Sequence, residues 1–317
     1  MLTIASAYSK FILSGEHFVV DGTPSVVIPG TCFSTQISLL DTAESSLSVQ
    51  CVFDCEQPEL RDKISEYESF AEKLIRSAAG ILGIQLNGCG LRCIIKSMIP
   101  PGQGAGSSSA LCQVIMEAML KHFLADDFHP NYLKWFGTLL ENTWHGPVSG
   151  IDNAAIAYRR MLFYQRNTRP EPIVPGCPLF FVVGTAGPRQ GINPYQSIRW
   201  LRENHSLQYA SYRKVMTDNA RKLAESIRIA NLLGIGECMN ESHELFNAIG
   251  IVPDSINKAV QKAKSLGALG ARMTGAGGGG FVIACVPVNI IESLQIAWRE
   301  LGLRNIRTLQ FGLETLG

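Results

Sequence analysis

The stretch PPGQGAGSSSALCQ, residues 100–113, restricts the local fold more than any other part of the chain. It follows LRCIIKSMI, whose composition predicts a strand over 91–99. The paired prolines must end that strand, because proline lacks the ladder N–H and restricts the residue before it. The glycines permit a tight turn, and the apolar spacing from Ala110 onward predicts a helix. The sequence therefore predicts a strand, a glycine-rich loop and a helix in direct succession.

Such a loop is typical of an anion-binding site. The first N–H groups of a helix lack intrahelical partners, and the positive end of the helix dipole lies beside them. Ser107, Ser108 and Ser109 can cap the helix, and one hydroxyl can bind a phosphate-bound Mg²⁺. An ordinary glycine-rich turn with a serine cap is an alternative that this loop alone leaves open. The spacing fits neither a Walker P-loop nor a dinucleotide-binding GxGxxG motif.

The composition indicates an enzyme-sized protein and argues against polyanionic partners. A chain of 317 residues exceeds what one core usually supports, so two domains are expected. With 28 basic and 27 acidic side chains the net charge is +1, and no basic cluster indicates a nucleic-acid partner. The apolar stretches are shorter than the about 18 residues of a membrane span, so we expect a cytoplasmic protein without a membrane partner. The nine cysteines suit reduced, buried thiols.

The order of elements predicts an α+β protein. Residues 2–40 alternate between turn signals at Asp21-Gly22 and Pro29-Gly30, which is typical of antiparallel strands. Prolines cluster around residues 165–177, and the expected division is an N-terminal nucleotide-binding domain, 1–168, and a C-terminal domain, 169–317. The remaining predicted elements are helices at 61–82, from Pro130, and at 208–233, 254–266 and 289–301, with strands at 178–184, 281–286 and 305–311.

Three further motifs carry candidate chemistry. TGAGGGG, residues 274–280, removes every large side chain from one spot, which suits close approach to a ligand or another loop. Glu141 and Asp152 lie in ENTWHGPVSGIDNA, where one carboxylate can hold a metal and the other can orient or deprotonate a hydroxyl. Two solvated surface acids are the alternative. In SKFILSGEHFVVDG, Lys10 enters a strand that Glu16 and His17 follow, and alone this motif decides nothing.

Together the four motifs resemble those of the GHMP small-molecule kinases, and within that family they are most similar to mevalonate kinases. AYSKFILSGEHFVVDG is similar to the family's APGKVILFGEHAVVHG, and the loop at 100–108 is similar to Pro-x-x-x-Gly-Leu-Gly-Ser-Ser. HGPVSGIDN, residues 145–153, resembles HGxPSGxDN, and RMTGAGGGG, residues 272–280, resembles KLTGAGGGG. The motifs keep the family's order across residues 7–280.

The resemblance implies a two-domain α+β fold with the active site in the cleft between the lobes, and ATP and Mg²⁺ as cofactors. It implies that Asp152 lies against the acceptor hydroxyl and that Lys10 contacts both, lowering the pKa of the alcohol. Ser108 and Glu141 are expected to hold the metal. The residues expected to bind the nucleotide are Pro101, Gly102, Gly104, Ala105, Gly106, Ser107, Ser108 and Ser109, and those expected on the substrate side are Glu16, His17 and Gly277.

The activity implied is ATP-dependent phosphorylation of an alcohol, with mevalonate converted to 5-phosphomevalonate in isoprenoid precursor synthesis. The resemblance is compatible with a homodimer. Departures from the family pattern are Tyr8-Ser9 in place of Pro-Gly, Arg159-Arg160 in place of a glycine pair, and GTAGPRQG, which keeps Arg189 but not a hydroxyl pair. The alternatives are a kinase for phosphomevalonate or a sugar such as galactose, and a non-catalytic nucleotide-binding sensor.

Overall fold

A computed structural model describes residues 1–124, 128–187 and 193–312 of the chain. The elements up to residue 158 are β1 Leu2–Ser14, β2 Ser25–Asp41, β3 Leu47–Phe53, α1 Ile64–Leu82, β4 Leu91–Ser97, α2 Ser107–Leu124, α3 Pro130–His145 and α4 Ile151–Tyr158. Those that follow are β5 Leu162–Tyr164, β6 Glu171–Pro172, β7 Leu179–Thr185, α5 Pro194–Asn204, α6 Ser206–Arg228, α7 Leu232–Ile249, α8 Asp254–Ser265, β8 Gly270–Met273, β9 Phe281–Val286, α9 Ile291–Glu300 and β10 Arg304–Phe311. This mixture confirms the predicted α+β class. Within the described ranges no helix is both long and apolar enough to cross a membrane.

The chain forms two compact units, and each is discontinuous in sequence. Unit 1 comprises Met1–Lys10, Phe33–Pro101 and Gly106–Arg159. Unit 2 comprises Phe11–Cys32, Gly102–Ala105 and Arg160–Gly317. The division falls inside β1 and inside β2, so both strands contribute residues to both units. The boundary at residue 168 that composition indicates stays a prediction.

In unit 1 the other elements enclose one central helix, α2. In its sheet β2 pairs antiparallel with β4, from Thr35 opposite Ser97 onward, and β3 pairs parallel with β4. Helix α2 carries twelve buried residues and has no exposed stripe of its own, which is typical of a helix enclosed by other elements. Helix α1 buries the single face that its apolar spacing predicts, including Leu74 and Ile75. The start of the sequence-predicted helix, before Ile64, is a 3₁₀ turn.

Unit 2 is built on an antiparallel sheet in the order β10-β7-β9-β8. Helices α7, α8 and α9 bury apolar residues that form one core cluster with the sheet, among them Phe246, Val260, Val282 and Trp298. The indole N–H of Trp298 donates to the carbonyl of Ala259 at 3.0 Å, so this large buried side chain leaves no donor unsatisfied. The strands predicted at 178–184, 281–286 and 305–311 are confirmed as β7, β9 and β10.

Two local predictions are wrong. The pattern read as one helix over 208–233 is interrupted between α6 and α7, where Ala230 adopts φ +61° and Asn231 accepts a capping bond from Gly234 N–H. The turn expected at Pro29-Gly30 lies inside β2. Strand β2 also pairs with β1. Pro29 falls between the segments of β2 that pair with β5 and with β4, so these two ladders do not need the N–H that proline lacks.

Candidate active site

The glycine-rich loop leads into α2 with the backbone conformation that its composition predicts. Gly102, Gly104 and Gly106 have φ of +72°, +85° and +77°, a region that favours glycine. A hydrogen bond of 2.8 Å from Ala110 N–H to Gly106 O begins the helical ladder. The N–H groups of residues 107–109 therefore precede the ladder and are placed to bind an anion.

Gly106 is required by contact as well as by conformation. A Cβ atom built at this position lies 3.0 Å from Lys10 Cγ and 3.1 Å from Lys10 Cε. With any larger residue at this position, either the Lys10 side chain or the loop backbone must shift. The loop therefore leaves room for the Lys10 side chain at the entrance to α2.

Lys10 and Asp152 form an ion pair within unit 1. Lys10 Nζ lies 3.2 Å from Asp152 Oδ1, and the lysine side chain is 4% exposed while the aspartate is 29% exposed. Asp152 occupies the first turn of α4, where the helix dipole favours a negative charge. The buried partner is thus the cation, and the carboxylate is the group that reaches solvent.

Glu141 is a buried carboxylate on α3 with a hydrogen bond to each oxygen. Oε1 accepts from Ser109 Oγ at 2.7 Å, and Oε2 accepts from Asn153 Nδ2 at 2.7 Å. Burial raises the pKa of Glu141, and the negative charge of Asp152 raises it further, while the two hydrogen bonds act in the opposite direction. Each carboxylate oxygen keeps one lone pair beyond these bonds, so the group can also contact a cation.

The serines at the start of α2 point in different directions. The sequence predicts Ser108 with Glu141 as the metal-holding pair, whereas in the structure it is Ser109 that bonds Glu141. Ser108 Oγ lies 2.8 Å from His145 Nε2. Consecutive helix residues are about 100° apart around the axis, which separates the two hydroxyls. Hydroxyl and carboxylate oxygens suit Mg²⁺, so the residues fit the ion that the motifs imply.

In unit 2 the motif Gly15-Glu16-His17 is anchored to the second glycine-rich segment. Arg272 Nη2 donates to Glu16 Oε2 at 2.8 Å, and His17 Nε2–H donates to the carbonyl of Ala276 at 2.7 Å. Gly15 has φ +98°, and a Cβ there meets Pro24 O at 2.4 Å, so glycine is required. The expected substrate-side residues Glu16 and His17 therefore lie together, and both contact residues 272–276.

The turn at 274–280 packs backbone against the loop residues of the same unit. A Cβ on Gly275 meets Gly104 O at 2.9 Å, and one on Gly280 meets Gln103 O at 2.2 Å. Of the two expected partners for this turn, a ligand or another loop, the structure shows the loop. Gly277 faces Ile251, whose carbonyl lies 3.0 Å from a Cβ built on the glycine. Its role on the substrate side stays a prediction.

Arg159, one of the two arginines that depart from the family pattern, contacts residues of β1 and α2. Arg159 Nη2 donates to the carbonyl of Ser6 at 2.6 Å, and its guanidinium carbon lies 5.8 Å from the ring centroid of Tyr8. A weaker contact of 3.5 Å joins it to Glu117. Arg160 is exposed, and Arg189 lies outside the described residues.

Sequence reasoning missed the roles of Asn153 and Arg272. Both residues match the family motifs by type, which alone assigns them no contact. For Arg272, a charged residue in the otherwise apolar run before a glycine turn is a signal for a buried ion pair. Asn153 is fully buried and bonds Glu141, which no spacing rule indicates. Among the residues that the structure describes, no group of three His, Cys, Asp or Glu side chains is arranged to hold a metal by itself.

Comparison with known families gives two matches that together take in both halves of the chain. Residues 69–160 match the GHMP kinases N terminal domain, and residues 220–299 match the family described as GHMP kinases C terminal. The first match contains the α2 loop, Glu141 and Asp152. The second contains Arg272 and the glycine turn.

Individual relatives match over almost the full length. The mevalonate kinase of Thermococcus gammatolerans is 30% identical over 309 residues, which cover 90% of this chain and 90% of the relative. The solved structure of L. major mevalonate kinase in complex with R-mevalonate has a TM-score of 0.82 at 23% identity, covering 96% of this chain and 95% of that one. Streptococcus pneumoniae phosphomevalonate kinase reaches a TM-score of 0.76 at 15% identity, covering 98% and 100%. At these identities the two structures establish a shared fold.

Proposed function

The chain belongs to the GHMP kinase family, and on that premise we propose that it transfers the γ-phosphoryl group of ATP to the hydroxyl of mevalonate. The observation that carries the proposal is the Lys10–Asp152 ion pair of 3.2 Å in the same unit as the glycine-rich entrance to α2. A partly exposed carboxylate beside a buried ammonium suits a hydroxyl that must lose its proton as it attacks.

The nucleotide phosphates are proposed to bind at the start of α2. The N–H groups of residues 107–109 and the helix dipole favour an anion there. The further loop residues assigned to this role are Pro101, Gly102, Gly104, Ala105 and Gly106. Because phosphoryl transfer leaves little covalent work to the protein, orienting and neutralising the phosphates is the main contribution of these groups.

Lys10 and Asp152 are the proposed catalytic residues. The acceptor oxygen forms a bond to the γ-phosphorus as the bond from phosphorus to the bridging oxygen of ADP breaks. The hydroxyl proton passes to Asp152 and then to solvent. Lys10 stabilises negative charge on the acceptor oxygen and keeps the Asp152 carboxylate in place.

Glu141 and Ser108 are the proposed metal-holding residues, with most remaining Mg²⁺ ligands coming from phosphate oxygens and water. When bound, the ion neutralises phosphate charge and supplies Lewis acidity. Ser109 and Asn153 orient the Glu141 carboxylate, since each bonds one of its oxygens at 2.7 Å. The Ser108 hydroxyl can bind the ion once it no longer contacts His145.

Mevalonate is proposed as acceptor because the relative that matches 90% of the chain at 30% identity is a mevalonate kinase. Glu16, His17 and Gly277 are the proposed substrate-side residues. A phosphorylated acceptor calls for additional cations. Arg159, one of the two arginines that motivated this alternative, already donates to the Ser6 carbonyl at 2.6 Å, which favours the unphosphorylated acceptor.

The test is a coupled ADP-release assay with MgATP and, separately, mevalonate, phosphomevalonate and galactose. We expect ADP release with mevalonate, and its loss in Asp152→Asn, which preserves shape and removes the charge. Faster turnover of phosphomevalonate or galactose would show that this compound is the acceptor, while the assignment as a kinase would stand. Nucleotide binding without ADP release from any acceptor would support the non-catalytic alternative.

A further inference from the structure

Glu16 and Arg272 form an ion pair that is almost completely removed from solvent. The donor–acceptor distance is 2.8 Å, and the side chains are 3% and 0% exposed, respectively. Desolvating two charges costs several kcal/mol, and replacing such a pair with apolar residues is often neutral or stabilising. Stability alone is therefore a weak explanation for a buried ion pair between Glu16 and Arg272.

The Arg272 guanidinium is fixed by two further contacts. Its Nε–H donates to the carbonyl of Met273 at 2.8 Å, and its central carbon lies 5.2 Å from the ring centroid of Phe246. Only a planar group with several donors can make these three contacts at once.

The same assembly reaches His17. The Phe246 ring packs edge-to-face against the His17 ring with centroids 5.7 Å apart, and His17 Nε2–H donates to the carbonyl of Ala276. His17 also adopts φ +63°, a conformation that a non-glycine residue holds only when its surroundings impose it. Two consecutive residues are thus tied to β8 and its following turn.

We propose that Arg272 is a positioning residue for acceptor binding, which acts by fixing the Glu16 carboxylate and, through Phe246, the ring of His17. The inference rests on the proposed function, in which Glu16 and His17 lie on the acceptor side. Arg272 Nη1 is itself buried, so the residue acts through its neighbours and not by touching the acceptor.

The decisive comparison is Arg272→Lys against the wild-type protein, with Arg199→Lys on α5 as the matched control. Arg199 is 77% exposed and pairs with Glu203 within its own helix. Lysine keeps the charge at position 272 but cannot make the three contacts together. We expect the KM for the acceptor to rise at least tenfold in Arg272→Lys, with the KM for ATP within twofold of wild type. The control is expected to match wild type in both.

A second measurement does not depend on turnover. Hydrogen–deuterium exchange of residues 15–22 is expected to accelerate in Arg272→Lys, while exchange in α2 stays unchanged. A variant with reduced thermal stability but wild-type acceptor KM and wild-type exchange at 15–22 would show a merely structural role and overturn the proposal.

Removing both charges gives an independent check. In Glu16→Gln/Arg272→Met the buried pair is replaced by neutral groups, so the protein is expected to fold. Relative to Glu16→Gln alone, its acceptor KM is expected to rise by a smaller factor than Arg272→Met produces in the wild-type protein, because the route through Glu16 is already lost and only the route through Phe246 remains. Additive losses would contradict this.

The proposed function is tested separately, by measuring ADP release with the wild-type protein. If mevalonate gives no ADP release, that function is wrong, and the Arg272 comparison is made with phosphomevalonate or galactose, whichever is active. If none is active, unchanged exchange at 15–22 overturns the positioning role and accelerated exchange supports it.

Discussion

Lys10 Nζ lies 3.2 Å from Asp152 Oδ1, and the two side chains differ sharply in exposure, at 4% and 29%. The buried lysine is held in place by its surroundings, including the close approach of Gly106. The aspartate, on the first turn of a short helix, presents its carboxylate outward. The pair is therefore suited to act as one unit on a third group that approaches from the Asp152 side.

A double-mutant cycle tests whether the pair acts as a unit. We expect Lys10→Met and Asp152→Asn each to lower kcat by at least about 100-fold, the scale of positioned acid–base and electrostatic groups. The double variant is expected to lose little more than the worse single variant, because residues that act together are non-additive. Turnover and nucleotide affinity are measured for all four proteins. Independent, multiplying losses would separate the two roles.

Gly106→Ala is expected to reduce turnover through Lys10. The new Cβ lies 3.0 Å from Lys10 Cγ, so the lysine must shift. Gly83→Ala, at the end of α1, is the matched control, since Gly83 has a similar positive φ of +69° but no atom within 4 Å of the added Cβ. Both variants carry the same backbone strain, of order 1 kcal/mol. We expect kcat at least tenfold lower in Gly106→Ala than in Gly83→Ala, and equal kcat values would contradict the importance of the contact with Lys10.

The sequence anticipates those parts of the fold and site that depend on local rules. Proline after a strand, glycine at positive φ and apolar helical spacing predict β4, the loop and α2. The same rules fail at Pro29-Gly30, where long-range pairing of β2 outweighs a local turn preference. They also fail at the α6–α7 junction. There the apolar spacing continues along the sequence, but the helix ends and a new one begins at the capping residue Asn231.

Within the candidate site, motif order identifies residue types but not side-chain directions. Ser108 and Ser109 are equivalent as letters, yet only one of them contacts Glu141 in the structure. The Glu16–Arg272 pair joins positions 256 residues apart, a pairing that no periodicity encodes. Such contacts arise from the packing of whole elements against one another, so the spacing of residues along the chain does not predict them.

Glu141 is expected to make stability depend on pH in the direction opposite to a surface acid. Its pKa in the folded chain is raised above the ordinary value of 4.5, chiefly by burial. Its contribution to stability is therefore fully present below pH 4.5 and is lost as pH rises through the folded pKa. Glu141→Gln stays neutral, and its amide can accept from Asn153 Nδ2 while its N–H donates to Ser109 Oγ. It is expected to be more stable than wild type at pH 7.5 and to lose that advantage at pH 4.

Urea unfolding of both proteins at the two pH values checks this expectation. The same variant is predicted to weaken the Mg²⁺ dependence of nucleotide binding, because an amide lacks the carboxylate charge. A wild-type protein that equals or exceeds Glu141→Gln in stability at pH 7.5 would contradict the burial argument.

Gly137→Ala is expected to disturb Glu141 from a distance. A Cβ on this helical glycine lies 2.3 Å from Gln113 Oε1 and 2.7 Å from Asn153 Oδ1. Gln113 and Asn153 must then shift, and we expect the bond from Asn153 to the Glu141 carboxylate to weaken. Overpacking of this kind costs about 1–3 kcal/mol. The control is Gly80→Ala in α1, where no atom lies within 4 Å and alanine is expected to stabilise by about 0.5–1 kcal/mol.

The two helical substitutions are compared by chemical unfolding and by kcat. Lower stability and lower kcat are expected only for Gly137→Ala. A normal kcat in a destabilised Gly137→Ala would show that Asn153 is not needed to orient Glu141.

His243 is a buried imidazole on α7 whose tautomer is set by its partners. Nδ1 accepts from Met273 N–H at 3.4 Å, so Nε2 carries the proton and donates to Asn257 Oδ1 at 3.0 Å. The pKa of His243 is lowered from 6.5 to about 4, chiefly by burial; the bond to Asn257 acts in the opposite direction, and the positive charge of Arg272 adds to the lowering. The folded chain therefore holds this histidine neutral.

The consequence is a loss of stability in acid. A histidine with a depressed folded pKa contributes stability that is present above pH 6.5 and is lost as pH falls towards 4. Full protonation corresponds to roughly 3 kcal/mol at the accepted value per pKa unit. We expect the free energy of unfolding of wild type to fall more steeply between pH 6.5 and pH 4.5 than that of His243→Gln, which has no charge to gain. His205→Gln, at an exposed position, is expected to follow the wild-type slope. Parallel curves for wild type and His243→Gln would mean that the imidazole is protonated, or hydrated, in the folded protein.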